Sequence, residues 1–264
     1  MRLPKTKTKL DRPYCFNKII LRYALSSILL FLSINLLGQT AEKKIINQSF
    51  SILSYSNIVG ISAKFSLLND IQERSFLVPI KQSQFFIRSQ VNYSFLENWN
   101  VAVGAAYYLT SPNDPNSLSK LVVPEIRLNQ DLIYKQKYKT FGLGHRFRSE
   151  ERFINKSIND SLIEGFKFRE RLSYSISFEY YLIKKQPIHN ITIKASDGVS
   201  VYTTKKFDQN RFYGGLNYQI EKSISLELGY IKIIQQLNSG GRYYNRDMVS
   251  FIVNHKINKK NPRG

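Results

Sequence analysis

The residues in this chain that are best suited to chemistry are charged side chains spaced two positions apart. Two runs carry the pattern: Arg146, Arg148, Glu150 and Arg152, followed by Lys167, Arg169 and Arg171. A period of two is typical of a β-strand, because successive side chains leave opposite faces of the strand. Guanidinium groups stay charged and bind carboxylate and phosphate groups in bidentate geometry. The pattern therefore predicts rows of anion-binding groups on one face of a sheet.

The same alternation places charged residues on the polar faces of neighbouring strands. The predicted set is Arg88, Glu125, Arg127, Asp131, Arg146, Arg148, Glu150, Arg152, Lys167, Arg169, Arg171, Arg211 and Glu227. Like charges placed directly opposite each other destabilise a sheet, so we expect the acids to lie between the bases. Two interpretations remain open. The charges form a salt-bridge network that fills a narrow lumen, or they form a basic site that binds or passes small anionic solutes.

The residues predict no catalytic group, metal site or cofactor. The three histidines, His145, His189 and His255, all fall on the apolar phase of their strands, away from the predicted acids. A Ser-His-acid triad needs its members within hydrogen-bond reach of one another. A zinc site needs His or Cys ligands at regular spacing. We therefore predict a non-enzymatic protein, with a membrane-embedded enzyme acting on lipid or lipopolysaccharide as the alternative.

The charged rows must be positioned by strands, and the alternation predicts ten of them. They cover residues 61–74, 84–95, 99–109, 125–134, 140–152, 166–182, 190–199, 209–221, 223–234 and 247–257. Their second face is apolar and aromatic, and short connections alternate with long ones. Outer-membrane barrels have an apolar outer face, short periplasmic turns and long external loops. The sequence thus predicts an all-β, antiparallel, up-and-down transmembrane barrel of about ten strands, with both chain ends on the periplasmic side.

The predicted organisation starts with a basic region and an apolar run at 23–37, which are typical of a cleaved signal peptide over residues 1–38. An uncleaved membrane anchor is the alternative. Residues 39–59 are interpreted as an N-terminal segment that is periplasmic or extends the first strand. The barrel covers 60–257 and a tail covers 258–264. Residues 48–57 alternate weakly. Because an eleventh strand would break the even number, twelve strands is the alternative to ten.

The net charge of the 264-residue chain is +20. Removal of residues 1–38 would take away seven basic residues and one acidic residue, leaving +14. In an exported protein this charge favours lipopolysaccharide phosphates or small anionic solutes as partners, and not nucleic acid. Further expected partners are outer-membrane lipid and the barrel-assembly machinery. The predicted location is the outer membrane, and a soluble periplasmic β-sandwich is a third interpretation.

Four motifs follow one another in a fixed order. They are PEIR at 124–127, GHRFRSEER at 144–152, FRERLSY at 168–174 and FDQNR at 207–211. In this order they resemble the outer-membrane proteins catalogued as domain of unknown function 2490, and the resemblance covers most of residues 60–257. The resemblance implies a β-barrel in an outer membrane. It implies no established substrate and no catalytic residue.

Overall fold

A computed structural model describes residues 44–183, 188–237 and 241–258 of the protein. The chain divides into two units, Met1–Glu42 and Lys43–Gly264. The predicted signal peptide and most of the predicted tail lie outside the described residues. No helix in the described part of the chain is long and apolar enough to cross a membrane.

Eleven β-strands form one closed barrel, in which each strand pairs antiparallel with the next along the chain. The strands are β1 Lys44–Gly60, β2 Phe65–Leu77, β3 Ile80–Leu96, β4 Trp99–Thr110, β5 Val123–Lys137, β6 Phe141–Ile158, β7 Ser161–Ile183, β8 Ile191–Tyr202, β9 Lys205–Gln219, β10 Ile224–Gln236 and β11 Arg242–Asn258. Closure leaves no strand edge unpaired. The predicted all-β antiparallel barrel is confirmed, with eleven strands.

The strand that the sequence did not predict is β1, which occupies most of the predicted N-terminal segment. It pairs with β11 in parallel, from Lys44 opposite Arg242 to Gly60 opposite Asn258. The even number that excluded an eleventh strand applies only to a barrel that closes with an antiparallel pair. The polarity of β1 changes along the strand. Phe50 (1% exposed) and Ile52 point inward, whereas Leu53 and Tyr55 are exposed on the outer face. Because apolar residues occupy both faces, the alternation of this segment is weak.

Parallel closure places the two ends of the barrel chain at opposite ends of the barrel. We call the end that carries residues 111–122 the loop end, and the end that carries the turn at 97–98 the turn end. Strand β1 begins at the loop end and β11 finishes at the turn end. The prediction that both chain ends lie on the same side is therefore wrong for the described barrel.

Most of the predicted long connections are extended hairpins. Strands β2 and β3, β6 and β7, and β8 and β9 continue past the predicted boundaries and meet at 78–79, 159–160 and 203–204. Only residues 111–122 form a long loop at this end of the described barrel. Polar segments that extend above a sheet gain backbone hydrogen bonds by pairing with each other, which explains why they remain strands.

The side chains are distributed with apolar residues outside and many polar residues inside. Phe147 (54% exposed) and Leu228 (59% exposed) project from the outer wall. Inside the barrel, Gln90, Asn129 and Ser250 are fully buried. This arrangement is the reverse of that in a soluble barrel, whose core is apolar. It places many of the polar side chains in the lumen.

One sector of the lumen is nevertheless apolar. Its buried members lie on β1, β2, β10 and β11 and pack together: Phe50, Ile52, Phe76, Ile231, Ile233 and Met248. Tyr213 of β9 packs against them. This cluster fills one side of the barrel, so the charged side chains of the other strands border the remaining space.

Candidate anion-binding lumen

The lumen contains a cavity of about 1110 Å³ that reaches residues of the loop end, including Asn113 and Leu237. Eleven of the thirteen predicted lumen charges line it: Arg88, Glu125, Arg127, Arg146, Arg148, Glu150, Arg152, Lys167, Arg169, Arg171 and Arg211. The other two, Asp131 and Glu227, are buried side chains that do not line this cavity. The alternation in the sequence thus located most of the charged wall.

The central ion pair of this wall joins β5 to β6. Asp131 and Arg148 are direct cross-strand partners. Arg148 Nε donates to Asp131 Oδ1 and its Nη2 donates to Oδ2, both over 2.6 Å. Gln90 Nε2 also donates to Oδ2, over 3.2 Å. Both carboxylate oxygens of Asp131 therefore accept hydrogen bonds, from Arg148 of β6 and from Gln90 of β3.

A second carboxylate, Glu125, is shared by two arginines. Arg127 Nε lies 2.6 Å and Arg152 Nε 2.5 Å from Glu125 Oε1. The Arg127 guanidinium also stacks over the ring of Tyr108, with 3.6 Å between Cζ and the ring centroid. A cation over an aromatic face gains further stabilisation from the ring quadrupole. Arg127 and Arg152 are thus held in place by protein groups.

The third group centres on Arg171, which contacts two carboxylates. Its Nε donates to Glu150 Oε2 over 2.6 Å, and its Nη1 lies 3.3 Å from Asp208 Oδ2. Sequence reasoning missed Asp208, which lies next to a register shift between β8 and β9. A shifted register interrupts the strict alternation, so the face of this residue was not readable from its position in the chain.

Sequence reasoning also missed two partners of predicted residues. Asp70 of β2 accepts from Arg88, with Nη2 to Oδ2 at 2.6 Å. Lys194 of β8 donates to Glu227 over 2.6 Å. Both partners lie within predicted strands, so the alternation rule applied strictly would have placed them in the lumen.

Five of the arginines that line the cavity form no ion pair with a carboxylate of the described residues. Of these, Arg246 donates to Gln48, Gln235 and Asn113, and the guanidinium of Arg169 lies over the ring of Tyr202. Arg74, Arg146 and Arg211 take part in none of the ion pairs or side-chain hydrogen bonds formed among the described residues. The Nε atom of Arg74 is buried without any hydrogen-bond partner. Sequence reasoning placed Arg146 and Arg211 in the lumen but missed Arg74, the last residue of its first predicted strand. We call these three residues the free arginine cluster.

A network of hydrogen-bonded side chains lies on the turn-end side of the large cavity. Tyr213 lines the cavity and donates to Glu227. Asn217 donates to Glu227 over 3.2 Å and to Ser225 over 3.0 Å. Ser225 lines a second cavity of about 200 Å³, which shares no lining residue with the first. The network of Tyr213, Glu227, Asn217 and Ser225 therefore lies between the two cavities.

The histidines lie on the outer wall, each paired with a tyrosine through Nδ1. The pairs are His145 with Tyr174 (2.8 Å), His189 with Tyr218 (2.6 Å) and His255 with Tyr55 (2.8 Å). Over residues 44–183, 188–237 and 241–258, no three His, Cys, Asp or Glu side chains come together as a metal site. The charged side chains of the lumen, described above, are mainly arginines.

These features define a closed, predominantly antiparallel β-barrel with a charged lumen. The family whose model matches this chain is described as "Protein of unknown function (DUF2490)", and the match covers residues 52–245. The chain belongs to this family, which confirms the resemblance found in the four sequence motifs. No curated protein matches the chain. No solved structure matches it.

Proposed function

We propose that the protein is an outer-membrane β-barrel whose lumen binds small anionic solutes that enter from the loop end. The observation that carries the proposal is the excess of positive charge around the large cavity. Twelve Arg and Lys side chains line it, against four Asp and Glu side chains. A cavity lined by one sign of charge raises the local concentration of oppositely charged solutes. The role is binding, and no step of catalysis is part of the proposal.

The outer wall supports the membrane location. Aromatic rings contact each other near the turn end, with centroids 4.7 Å apart for Trp99 and Tyr134 and 4.4 Å apart for Tyr138 and Phe141. Trp and Tyr are enriched where a membrane meets water. Exposed apolar residues such as Leu216 lie on the same wall. An outward apolar face flanked by aromatic residues is typical of outer-membrane barrels.

The pattern of ion pairs supports binding by some arginines and a structural role for others. Arg148 and Arg152 are occupied by carboxylates of the neighbouring strand β5, and Arg127 by Glu125 of its own strand. A buried cation without a partner costs several kcal/mol, because its lost hydration is not replaced. In the free arginine cluster, the buried Nε atom of Arg74 carries such a cost, whereas Arg146 and Arg211 are exposed to the lumen. A bound anion would satisfy the Arg74 donor and be attracted by the two exposed guanidinium groups, which gives the lumen an affinity for anionic solutes.

The separation of the two cavities supports a binding role over free passage. The network around Glu227 lies between them, and Lys194 and Tyr213 both contact this carboxylate. A solute that enters from the loop end would meet the arginines before it met this network. We therefore propose a vestibule closed towards the turn end.

The first test is cell fractionation, followed by electrophoresis of the membrane fraction with and without boiling. A band in the outer membrane whose mobility changes on boiling is the expected result for a closed barrel. The folded protein in detergent is then titrated calorimetrically with pyrophosphate, citrate and acetate. Binding of these anions that weakens with added salt supports the proposal. A protein that stays in solution without detergent, or a folded barrel that binds none of the anions, would overturn it.

A further inference from the structure

We infer that the free arginine cluster is a binding site for a multiply charged oxyanion of the phosphate type. This inference rests on the proposed function and narrows its ligand class. It separates Arg74, Arg146 and Arg211, which recognise the ligand, from the arginines that hold the strands together.

The first step of the argument is the shape of the wall between two of the arginines. Arg146 of β6, Ser175 of β7, Gly198 of β8 and Arg211 of β9 are successive cross-strand partners and form one row. All four line the large cavity. The two middle positions carry small residues, so two long cationic side chains flank a shallow stretch of wall. This arrangement leaves space between the guanidinium groups for a small ligand.

The second step is the mutual position of the three cations. Arg211 is close enough to Arg74 for their charges to repel, and Arg146 experiences the charge of Arg211 in the same way. Arg211 therefore interacts with both other members of the cluster. Asp131 also attracts Arg146, but both oxygens of this carboxylate already accept hydrogen bonds from Arg148. Three cations that line one cavity and form no ion pair favour a negative ligand.

The third step is the availability of counter-charges in the same cavity. Glu125 and Glu150 already bind Arg127, Arg152 and Arg171. Asp208 also binds Arg171. These three acids are committed to other arginines. The fourth acid of the cavity, Asp197, accepts from Asn210, and its cross-strand partners Ile176 and Phe212 are exposed on the outer wall. The acids of the cavity therefore form no ion pair with the cluster. The buried Nε atom of Arg74, which lacks any hydrogen-bond partner, is a donor that a ligand oxygen would satisfy.

The last step is the choice of ligand. A monocarboxylate carries one charge and two oxygens, which match one guanidinium fork. A phosphate or pyrophosphate group carries more charge and more oxygens, so it can accept from several arginines at once. The hydroxyl groups of Ser175 and Ser196 also line the cavity near the row and can donate to such a ligand. The cluster therefore fits a phosphate-type group better than a monocarboxylate.

The test uses the barrel in detergent micelles and pyrophosphate as the probe in calorimetric titration. Arg211→Gln and Arg74→Gln are each expected to weaken pyrophosphate binding by roughly tenfold or more, since each loses charge-assisted hydrogen bonds. Arg242→Gln is the matched control. It makes the same change at an exposed position of the loop end that does not line the cavity, and its affinity should equal that of the parent protein.

A second measurement separates recognition from a structural role. Without ligand, Arg211→Gln removes a repelling charge, so its urea midpoint should equal or exceed that of the parent barrel. A lower midpoint together with unchanged pyrophosphate affinity would overturn the inference, because the residue would then serve the fold alone. If the parent barrel binds citrate and acetate as tightly as pyrophosphate, and Arg211→Gln changes none of these, the oxyanion site is wrong while the anion-binding lumen stands. If the folded parent binds no anion, both fail.

A free solute and a lipid headgroup could both supply the phosphate group. Competition between pyrophosphate and mixed micelles that contain lipid A distinguishes these sources. Displacement of pyrophosphate by the micelles identifies a headgroup, and a lack of displacement identifies a soluble phosphate compound. Either result supports the site as long as Arg211→Gln weakens the binding that is observed.

Discussion

Asp131 and Arg148 face each other across β5 and β6 and form two hydrogen bonds of 2.6 Å. Both side chains are nearly buried, with 3% and 10% of their surface exposed. The pair shows how an acid on one strand neutralises an arginine on the next strand inside the lumen. The register also places Asp70 opposite Arg88 and Glu150 opposite Arg171, and each of these pairs is joined by an ion pair. Arg127 and Arg152 face each other and share Glu125 instead.

Breaking this pair should destabilise the barrel strongly. Asp131→Asn leaves the Arg148 guanidinium buried without its counter-charge, and we expect the free energy of unfolding to fall by about 3 kcal/mol. The double variant Asp131→Asn/Arg148→Gln removes both charges and should recover much of that loss. Urea unfolding followed by the fluorescence of Trp99, the single tryptophan of the chain, measures each variant. Additive losses in the double variant would show that the two residues are not coupled.

A side chain at position 229, which Gly229 lacks, is expected to destabilise the barrel. A Cβ atom at this position would lie 2.5 Å from Cε2 of Tyr213 and 2.9 Å from Oγ of Ser250. Gly229→Ala should therefore displace the Tyr213 ring and cost about 1–3 kcal/mol of unfolding free energy. Gly214→Ala is the control, because its Cβ would meet only the ring of Phe212, at 3.7 Å. Equal urea midpoints for the two variants would contradict the placement of Tyr213 over these strands.

The parallel pairing of β1 and β11 makes a prediction about sidedness. Lys44 should lie on the same side of the membrane as Asn116 in the long loop, and opposite Glu97 in a turn at the other end. The only native cysteine, Cys15, lies within the predicted signal peptide. Single substitutions Lys44→Cys, Asn116→Cys and Glu97→Cys can therefore be labelled on intact cells with a maleimide that does not cross membranes. Lys44→Cys should react like Asn116→Cys, and reaction like that of Glu97→Cys would refute parallel closure.

Two like charges lie opposite each other on the outer wall. Glu151 and Glu170 are direct partners across β6 and β7 on the outer face. Gln130, an unexpected polar residue on this face, donates to Glu151 Oε1 over 3.2 Å. Like charges directly opposite each other are unfavourable, so Glu170→Gln should raise the free energy of unfolding by roughly 0.2–1 kcal/mol. The gain should shrink at high salt. Glu164→Gln, at an exposed position of the same hairpin, serves as the control and should change little.

The class of fold and most of the charged wall could be predicted from the order of residues alone. In the parts of β5, β6 and β7 that carry Arg127, Arg148 and Arg171 the register is regular, so the faces of these residues could be assigned by counting. Counting works because the side-chain period of a strand is two, whatever its neighbours are. The same rule placed the three histidines on the outer face. The four ordered motifs also identified the family.

The closure of the barrel and the pairing of its side chains could not be predicted in this way. The inward apolar side chains Phe50 and Ile52 gain their environment from β10 and β11, which lie almost two hundred positions along the chain in the register of the barrel. Asp208 reaches Arg171 from two strands away. The lack of an acid beside Arg74 likewise depends on what faces it across the lumen. The period of a strand fixes the face of a residue, whereas register and closure fix its height and its partners, and these depend on all eleven strands together.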